Sequence, residues 1–399
     1  MAEGSVKRKL RAILSADVKG YSRMMGEDEV GMIPLIERYP LLKEKIPYVS
    51  LGNFPTPIEH LSKLEKEIGA DHLYLKHDGL SGSTYGGNKI RKLEILLGDA
   101  LEKGAKEVLT FGYAGSNHAL ATAVYAQKLG LKNTSILLAQ PNAQYVRLNL
   151  LFSHVCGAEI HHFKNEMAAY LPTTLIFLRK KLKQGKIPYI IGPGGSSPLG
   201  TIGYVNAGFE LKEQVASGLM PEPDKIILPL GTMGTAVGLT IGFKAAGLKT
   251  RVVSVRVADE KYGNKEKFVK LFRKTLALIL SMDSSFPSVK ITDDEVDIKH
   301  DFFGSQYARF TEQGMEAVDH VVKSEGIILD GTYTGKAMAA LIDQVRGHGT
   351  KKEVTLFWNT YNAIDFYDAI EGIDYHQLPR SFHRYFEEDV QPLDRHHSD

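Results

Sequence analysis

Lys225-Ile-Ile-Leu-Pro-Leu-Gly-Thr-Met-Gly-Thr-Ala-Val-Gly-Leu-Thr-Ile-Gly-Phe-Lys-Ala-Ala246 sets the fold class of this chain. Residues 225–229 form a short apolar run that reads as a buried strand, and 235–246 form a small-residue run of helical length. A glycine-bracketed turn joins them. The same grammar recurs along the chain, with strands predicted over 72–76, 107–111, 135–139, 188–191, 251–257 and 353–358. Helices are predicted over 88–103, 117–129, 144–156, 199–217, 306–324 and 335–346. Strands separated by helices imply βαβ units, hence a doubly wound α/β protein with mostly parallel sheets. Such sheets bind ligands beyond the carboxyl ends of their strands, where the glycine-rich turns lie. The stretch 283–300, rich in Ser, Pro and Asp, reads as a loop.

The length of 399 residues predicts two or three domains. Lys plus Arg total 49 and Asp plus Glu 47, a net charge of +2, which gives no broad basic field for nucleic acid or a membrane surface. Cys156, the single cysteine, excludes an intrachain disulfide and a Cys-rich metal centre. It reads as a buried small hydrophobe at a helix end. His161 and His162 lack acidic or cysteine partners at ligand spacing, so no metal is expected. Arg179-Lys-Lys-Leu-Lys183 reads as a solvated helix face. The first eleven residues are charged without an apolar core, and no run of 18 apolar residues occurs, so a cytoplasmic protein is expected. Residues 386–399 read as a frayed polar tail.

Two glycine patterns invite a nucleotide and fail. In Gly192-Pro-Gly-Gly-Ser-Ser197, Ser197 stands where a dinucleotide fingerprint needs its third glycine. In Gly331-Thr-Tyr-Thr-Gly-Lys-Ala337 the first glycine is one residue too close for a P-loop, and Ala337 replaces the magnesium-binding hydroxyl.

Four turns remain between strands and helices. Ser81-Gly-Ser-Thr-Tyr-Gly-Gly-Asn-Lys-Ile-Arg-Lys-Leu-Glu94 puts Lys89 at a helix start, where the macrodipole lowers an ammonium pKa. A lysine so placed can attack a carbonyl and form a Schiff base. Phe111-Gly-Tyr-Ala-Gly-Ser-Asn-His118 opens a helix with three polar side chains. Gly231, Thr232, Met233, Gly234 and Thr235 follow a buried strand, and their amide groups at a helix N-terminus suit a phosphate. Leu329-Asp-Gly-Thr-Tyr-Thr-Gly-Lys336 presents Tyr333 and Thr334 just before a helix.

This combination resembles the D-cysteine desulfhydrase and 1-aminocyclopropane-1-carboxylate (ACC) deaminase family, pyridoxal-phosphate enzymes of fold type II. The resemblance spans about residues 33–385. It is carried by Pro55-Thr-Pro57, Gly86-Gly-Asn-Lys-Ile-Arg-Lys-Leu-Glu94, Ser116-Asn-His118, Gly194-Gly-Ser196, Leu199-Gly-Thr-Ile-Gly-Tyr204 and Tyr333-Thr-Gly-Lys-Ala337. It implies a large cofactor-binding domain from 32–91 and 206–385, a small domain from 92–205, and a homodimer. Lys89 would hold the cofactor covalently and move protons at the substrate α-carbon. Asn88 and Asn117 would hydrogen-bond around the cofactor ring, and Gly231 to Thr235 would bind its phosphate with Lys92 as a further contact. Ser116, Asn117, His118, Tyr333 and Thr360 would face the substrate, with Ser116 and Tyr333 in proton transfer. Thr334 matches a position beside the pyridine nitrogen where ACC deaminases carry glutamate. A hydroxyl there cannot hold that nitrogen protonated as a carboxylate can, which favours elimination of a thiolate over cyclopropane opening.

Departures from the family pattern fall around the substrate and cofactor. Gly115 replaces a glutamine, Tyr361 and Asn362 replace two glycines after Trp358-Asn-Thr360, and Met233 replaces a small residue. They suggest either a reshaped pocket or neutral drift compensated by neighbouring residues. The expected reaction is α,β-elimination from a small amino acid, with D-cysteine giving pyruvate, sulfide and ammonia. The competitors are ACC deaminase, a lyase for another β-substituted amino acid such as cysteate, and a catalytically weakened pyridoxal-phosphate-binding protein. Residues 1–31 resemble the opening of a class III adenylate/guanylate cyclase domain, with Asp17 at the metal-aspartate position. The resemblance stops far short of a cyclase domain, and a truncated fusion remnant is expected.

Overall fold

In the computed structural model, which describes residues 33–348 and 352–397, ten strands build two sheets. The strands are β1 (Ile58–His60), β2 (Leu73–His77), β3 (Glu107–Tyr113), β4 (Lys132–Leu138), β5 (Glu159–Phe163), β6 (Tyr189–Ile191), β7 (Lys225–Leu230), β8 (Arg251–Arg256), β9 (Asp297–Lys299) and β10 (Thr355–Asn359). The larger sheet runs β1-β2-β10-β7-β8-β9, and only β1 is antiparallel to its neighbour. The smaller runs β5-β4-β3-β6, all parallel. The cyclase-like residues 1–31 lie outside the described residues.

Strand alternation sorts the core into layers. On β7 and β10, Ile226, Leu228, Leu356 and Trp358 face the helices Pro198–Ala216 and Gly234–Ala246. Ile227 and Phe357 point the other way, to the helices Glu312–Glu325 and Thr334–His348. These central strands are apolar on both faces, as a doubly covered parallel sheet requires. The helix Pro198–Ala216 also packs on Ile90–Glu102, and Gly203 permits the approach: a Cβ there would sit 2.0 Å from the Arg91 carbonyl oxygen. Three helices that carry the glycine-rich turns are thereby locked together.

All seven expected strands are present. Three short or polar ones, β1, β5 and β9, escape a reading based on apolar runs. β9 lies inside the stretch expected as a loop. The helix Lys265–Met282 was not expected, and of Glu166–Gln184 only Arg179–Lys183 was read as helical. Each starts at an asparagine, Asn165 or Asn264, whose Oδ1 accepts the N–H three residues on. The helix expected over 306–324 begins only at Glu312, because Thr311 caps it and accepts the Gly314 N–H. In Arg179–Lys183, Lys180 turns inward to Glu107 and Glu159, 2.6 Å from each. Cys156 is buried, and burial pushes its thiol pKa up to about 12.

The frayed tail expected over 386–399 is a correction. Gln391 is buried, its amide donating to the Ala308 carbonyl at 3.0 Å and accepting the Phe310 N–H at 2.8 Å. Asp394 accepts the N–H of Gln144, the first residue of the helix Gln144–Val155. Polar side chains satisfy buried backbone groups there, a use that composition does not reveal. Among the described residues no helix is long and apolar enough to cross a membrane, and no cluster of three or more His, Cys, Asp or Glu could hold a metal.

Candidate active site

A cavity of about 460 Å³ opens at the carboxyl ends of β3, β7 and β10. Lys89 enters it from the first residue before the helix Ile90–Glu102. Three backbone groups ahead of it are pinned: Gly86 N–H donates to Asn362 Oδ1, Gly87 N–H to the Asp78 carbonyl at 2.8 Å, and Asn88 N–H to the Thr360 carbonyl at 3.1 Å. Burial lowers the Lys89 pKa from 10.5 to about 8, against the opposing charge of Asp330. A neutral amine is therefore accessible near physiological pH, which a nucleophilic lysine needs.

One turn later, Lys92 is buried without a carboxylate in ion-pair distance among the described residues. Its Nζ donates to the Gly194 carbonyl and to Ser196 Oγ, both at 3.2 Å. Burial, reinforced by Lys89, holds its pKa well below the usual lysine value. It lies at the N-terminus of the helix Gly234–Ala246, where unpaired N–H groups add positive potential. A Cβ on Gly234 would fall 2.9 Å from Lys92 Nζ and 2.6 Å from Ser196 Oγ. An amine, hydroxyls and helix N–H groups converge on one cradle suited to an anion.

The remaining wall carries the other polar side chains. Asn88 Nδ2 donates to Thr235 Oγ1 at 3.1 Å, and Asn117 Oδ1 accepts from Asn149 Nδ2 at 2.8 Å and Tyr85 at 3.3 Å. Ser116 caps the helix Asn117–Lys128 with its oxygen and keeps its hydroxyl proton to donate. His118 is buried with Nε2 3.0 Å from Thr110 Oγ1. Burial, then Lys89 and Lys92, hold its pKa well below the usual value, so it is neutral. The expected residues Asn88, Lys89, Lys92, Ser116, Asn117, His118, Gly231, Thr232, Met233, Thr235, Tyr333 and Thr360 all line this cavity.

Thr334 and Gly234 do not line it. The Thr334 hydroxyl donates to Asp330 Oδ1 at 2.7 Å and accepts the Asp330 N–H at 2.8 Å, so its proton is already spent. The carboxylate that reaches the cavity beside Lys89 and Tyr333 is Asp330, while Glu166 borders it elsewhere; Asp330 caps the helix Thr334–His348 by accepting from the N–H groups of Thr332, Tyr333 and Thr334. Burial raises its pKa and these hydrogen bonds oppose the rise. Sequence reasoning gave Asp330 no role, although an aspartate just ahead of a helix is a cap signal. Tyr307 was also missed, since it lay inside a helix expected to start too early. Its hydroxyl hydrogen-bonds that of Tyr333. Burial raises the Tyr333 pKa, so that phenol stays protonated.

The model of the family described as "Pyridoxal-phosphate dependent enzyme" matches residues 49–360. The chain belongs to that family. A Pyrococcus abyssi protein, named only provisionally as a 1-aminocyclopropane-1-carboxylate deaminase, is 35% identical over 320 residues, which cover 80% of this chain and 92% of that one. A D-cysteine desulfhydrase from Serratia proteamaculans is 34% identical over 311 residues, 75% of this chain and 89% of its own. The crystal structure of an ACC deaminase homologue superposes with a TM-score of 0.68 at 34% identity, covering 81% of this chain and 94% of that one. The chain is thus an enzyme of fold type II dependent on pyridoxal phosphate, within the ACC deaminase and D-cysteine desulfhydrase group.

The residues present fit that cofactor. Its phosphate dianion matches the Lys92 cradle, and its aldehyde matches a half-buried amine of lowered pKa at Lys89. The departures from the family pattern also find partners. Gly115 leaves no room for a side chain, because a Cβ there would lie 2.6 Å from the Tyr145 ring; Gln140 accepts its N–H at 2.9 Å. Asn362 braces the Lys89 loop through Gly86 and donates from Nδ2 to the Ile364 carbonyl at 2.7 Å. Tyr361 contributes a phenol to the cavity wall.

Proposed function

We propose that this enzyme eliminates the β-substituent of a small amino acid, with D-cysteine as the reference substrate and pyruvate, sulfide and ammonia as products. The choice over ACC deaminase rests on the resemblance, which puts Thr334 where ACC deaminases carry glutamate; in the structure Thr334 lies behind the cavity wall, its hydroxyl committed to Asp330. Bound pyridoxal phosphate would supply the electron-withdrawing ring that stabilises charge at the substrate α-carbon. Lys89 Nζ, as free base, accepts the α-proton. The Tyr333 hydroxyl, kept protonated by burial and oriented by Tyr307, gives a proton to the departing sulfur. Ser116 and Asn117 at the start of their helix orient the substrate carboxylate, where helix N–H groups favour an anion. A homodimer follows from the family resemblance, and light scattering measures it.

The deciding experiment is a panel of D- and L-cysteine, cysteate, β-chloroalanine, serine and ACC, scored for the 2-oxo acid formed. Pyruvate from D-cysteine is the expected result; 2-oxobutyrate from ACC would overturn the reading of Thr334.

The state of Lys89 gives a second expectation. Its free-base fraction grows as pH rises through about 8, so cofactor-free protein should take up pyridoxal phosphate faster with rising pH and level off above that value. Asp330→Asn removes the charge that favours the ammonium, so the inflection should move to lower pH. Borohydride trapping at timed intervals measures both. An inflection unmoved by the substitution would remove Asp330 from the electrostatics of Lys89.

A further inference from the structure

We propose that the cavity holding Lys89 continues into an apolar annex that takes the sulfur substituent of S-alkyl and S-aryl cysteines. The proposal rests on the elimination reading above and names the leaving group as a thiol rather than sulfide. The annex lies between the small sheet and the helix Glu166–Gln184.

Strand register places Phe111 beside Ile136 and Tyr113 beside Leu138 on β3 and β4. Side chains alternate across a strand, so these four share one face. The helix Glu166–Gln184 covers that face and presents Ala169, Thr173 and Phe177, which recur every four residues and so form one stripe. Both walls border the same cavity as Lys89, Ser116 and Tyr333. The whole space, about 460 Å³, lies in the ~300–1,000 Å³ range of sites for ligands of drug size.

Charge in this cavity is segregated. Lys89, Lys92 and Asp330 stand at the cofactor end, and Glu166 at the rim is held by Lys261 at 3.0 Å and by the Tyr262 hydroxyl. None of the residues on the two annex walls is charged. A sulfonate placed between Phe111 and Phe177 would lose its hydration with no cation to replace it, which argues against cysteate. A free thiol would be too short to cover the wall, where Phe111, Leu138 and Phe177 are only half-buried. A hydrocarbon chain on sulfur meets neither difficulty.

The chemistry balances with water alone. The α-proton passes to Lys89, and the Cβ–S bond breaks with its electron pair moving to sulfur. The thiolate leaves as a thiol after taking one proton. The released 2-aminoacrylate takes up one water and yields pyruvate and ammonia.

Holoenzyme saturated with pyridoxal phosphate is given cysteine and its S-ethyl, S-butyl and S-benzyl derivatives in both enantiomers, and pyruvate and the released thiol or sulfide are measured separately. We expect kcat/KM for S-butylcysteine to exceed that for cysteine by about tenfold or more. Ala169→Phe fills the annex, so the ratio of the two kcat/KM values should fall by about the same factor. A decline of kcat/KM with chain length in the unmodified enzyme, while cysteine still yields pyruvate, overturns the annex and leaves the lyase reading standing. Absence of pyruvate from every member overturns both. The substrate series uses the unmodified enzyme, so it decides the matter even where Ala169→Phe does not fold.

Discussion

Lys89→Met is expected to abolish pyruvate formation while making the cofactor-free protein more stable. Loss of a group that moves the α-proton lowers rates by roughly 10²–10⁴-fold, and loss of the covalent anchor for the cofactor adds to that. The stability gain comes from burial. Lys89 has a native pKa of about 8 against 10.5 for the free side chain, which corresponds to roughly 3 kcal/mol. Between those two values the unfolded chain binds the proton that the native state has released, so native stability rises with pH across that window. The penalty is complete below about pH 8 and gone above 10.5. Methionine fills a similar volume with no charge to desolvate. Urea unfolding of the cofactor-free proteins at pH 7 and pH 10.5 should therefore show a gain for Lys89→Met at the lower pH that shrinks at the higher. Pyruvate formation within about tenfold of the unmodified enzyme would remove Lys89 from the chemistry.

Arg91→Ala should have the largest effect on folding. Arg91 is buried, with Nη1 2.7 Å from Glu210 Oε2 and Nη2 2.9 Å from Asp78 Oδ1, and it also donates to Thr56 Oγ1 at 3.1 Å. Lys76 Nζ reaches Glu210 from the other side at 2.5 Å, while Tyr204 and Trp358 donate to Asp78. Removing the guanidinium leaves two buried carboxylates short of positive charge, which costs about 3–5 kcal/mol. The network also sets a pH response. Burial raises the Glu210 pKa, but Arg91 and Lys76 outweigh it and bring it from 4.5 to about 2. A lowered carboxylate pKa stabilises the native state above about 4.5, and that contribution is lost as pH falls towards 2. Arg91→Ala should therefore unfold at lower urea concentration at pH 7 and show a flatter acid limb. Equal urea midpoints would assign Arg91 no part in holding the fold.

Arg91 illustrates how the sequence and the fold divide the information. It belongs to the run Gly86-Gly-Asn-Lys-Ile-Arg-Lys-Leu-Glu94, which is specific enough to name the family, yet nothing local says what the arginine does. Its partners lie 13 and 119 residues away, at Asp78 and Glu210. Tyr307 and Asp330 were passed over for more local reasons. One sits ahead of a capped helix whose start was misjudged, and the other supports Thr334 from behind, a relation between a turn and the helix it caps. The annex likewise needs the helix Glu166–Gln184 laid across β3 and β4, and that segment, interrupted by Pro172, was read as helical only over Arg179–Lys183.

The amino-acid sequence by itself determined what depends on neighbours in the chain. Strand–turn–helix units follow from apolar periodicity and glycine, the phosphate-suited turn from its glycines at a helix start, and the reactive lysine from its position at another. Tertiary structure decided what depends on burial and on distant partners. Desolvation brings Lys89 to about 8 and holds Lys92 well below the usual lysine value, with only the Gly194 carbonyl and Ser196 hydroxyl, brought from about a hundred residues away, to receive its protons. The physical reason is one of range. Backbone conformation responds to residues a few positions away, whereas dielectric environment and ion pairing are set by whatever the fold brings within a few ångströms.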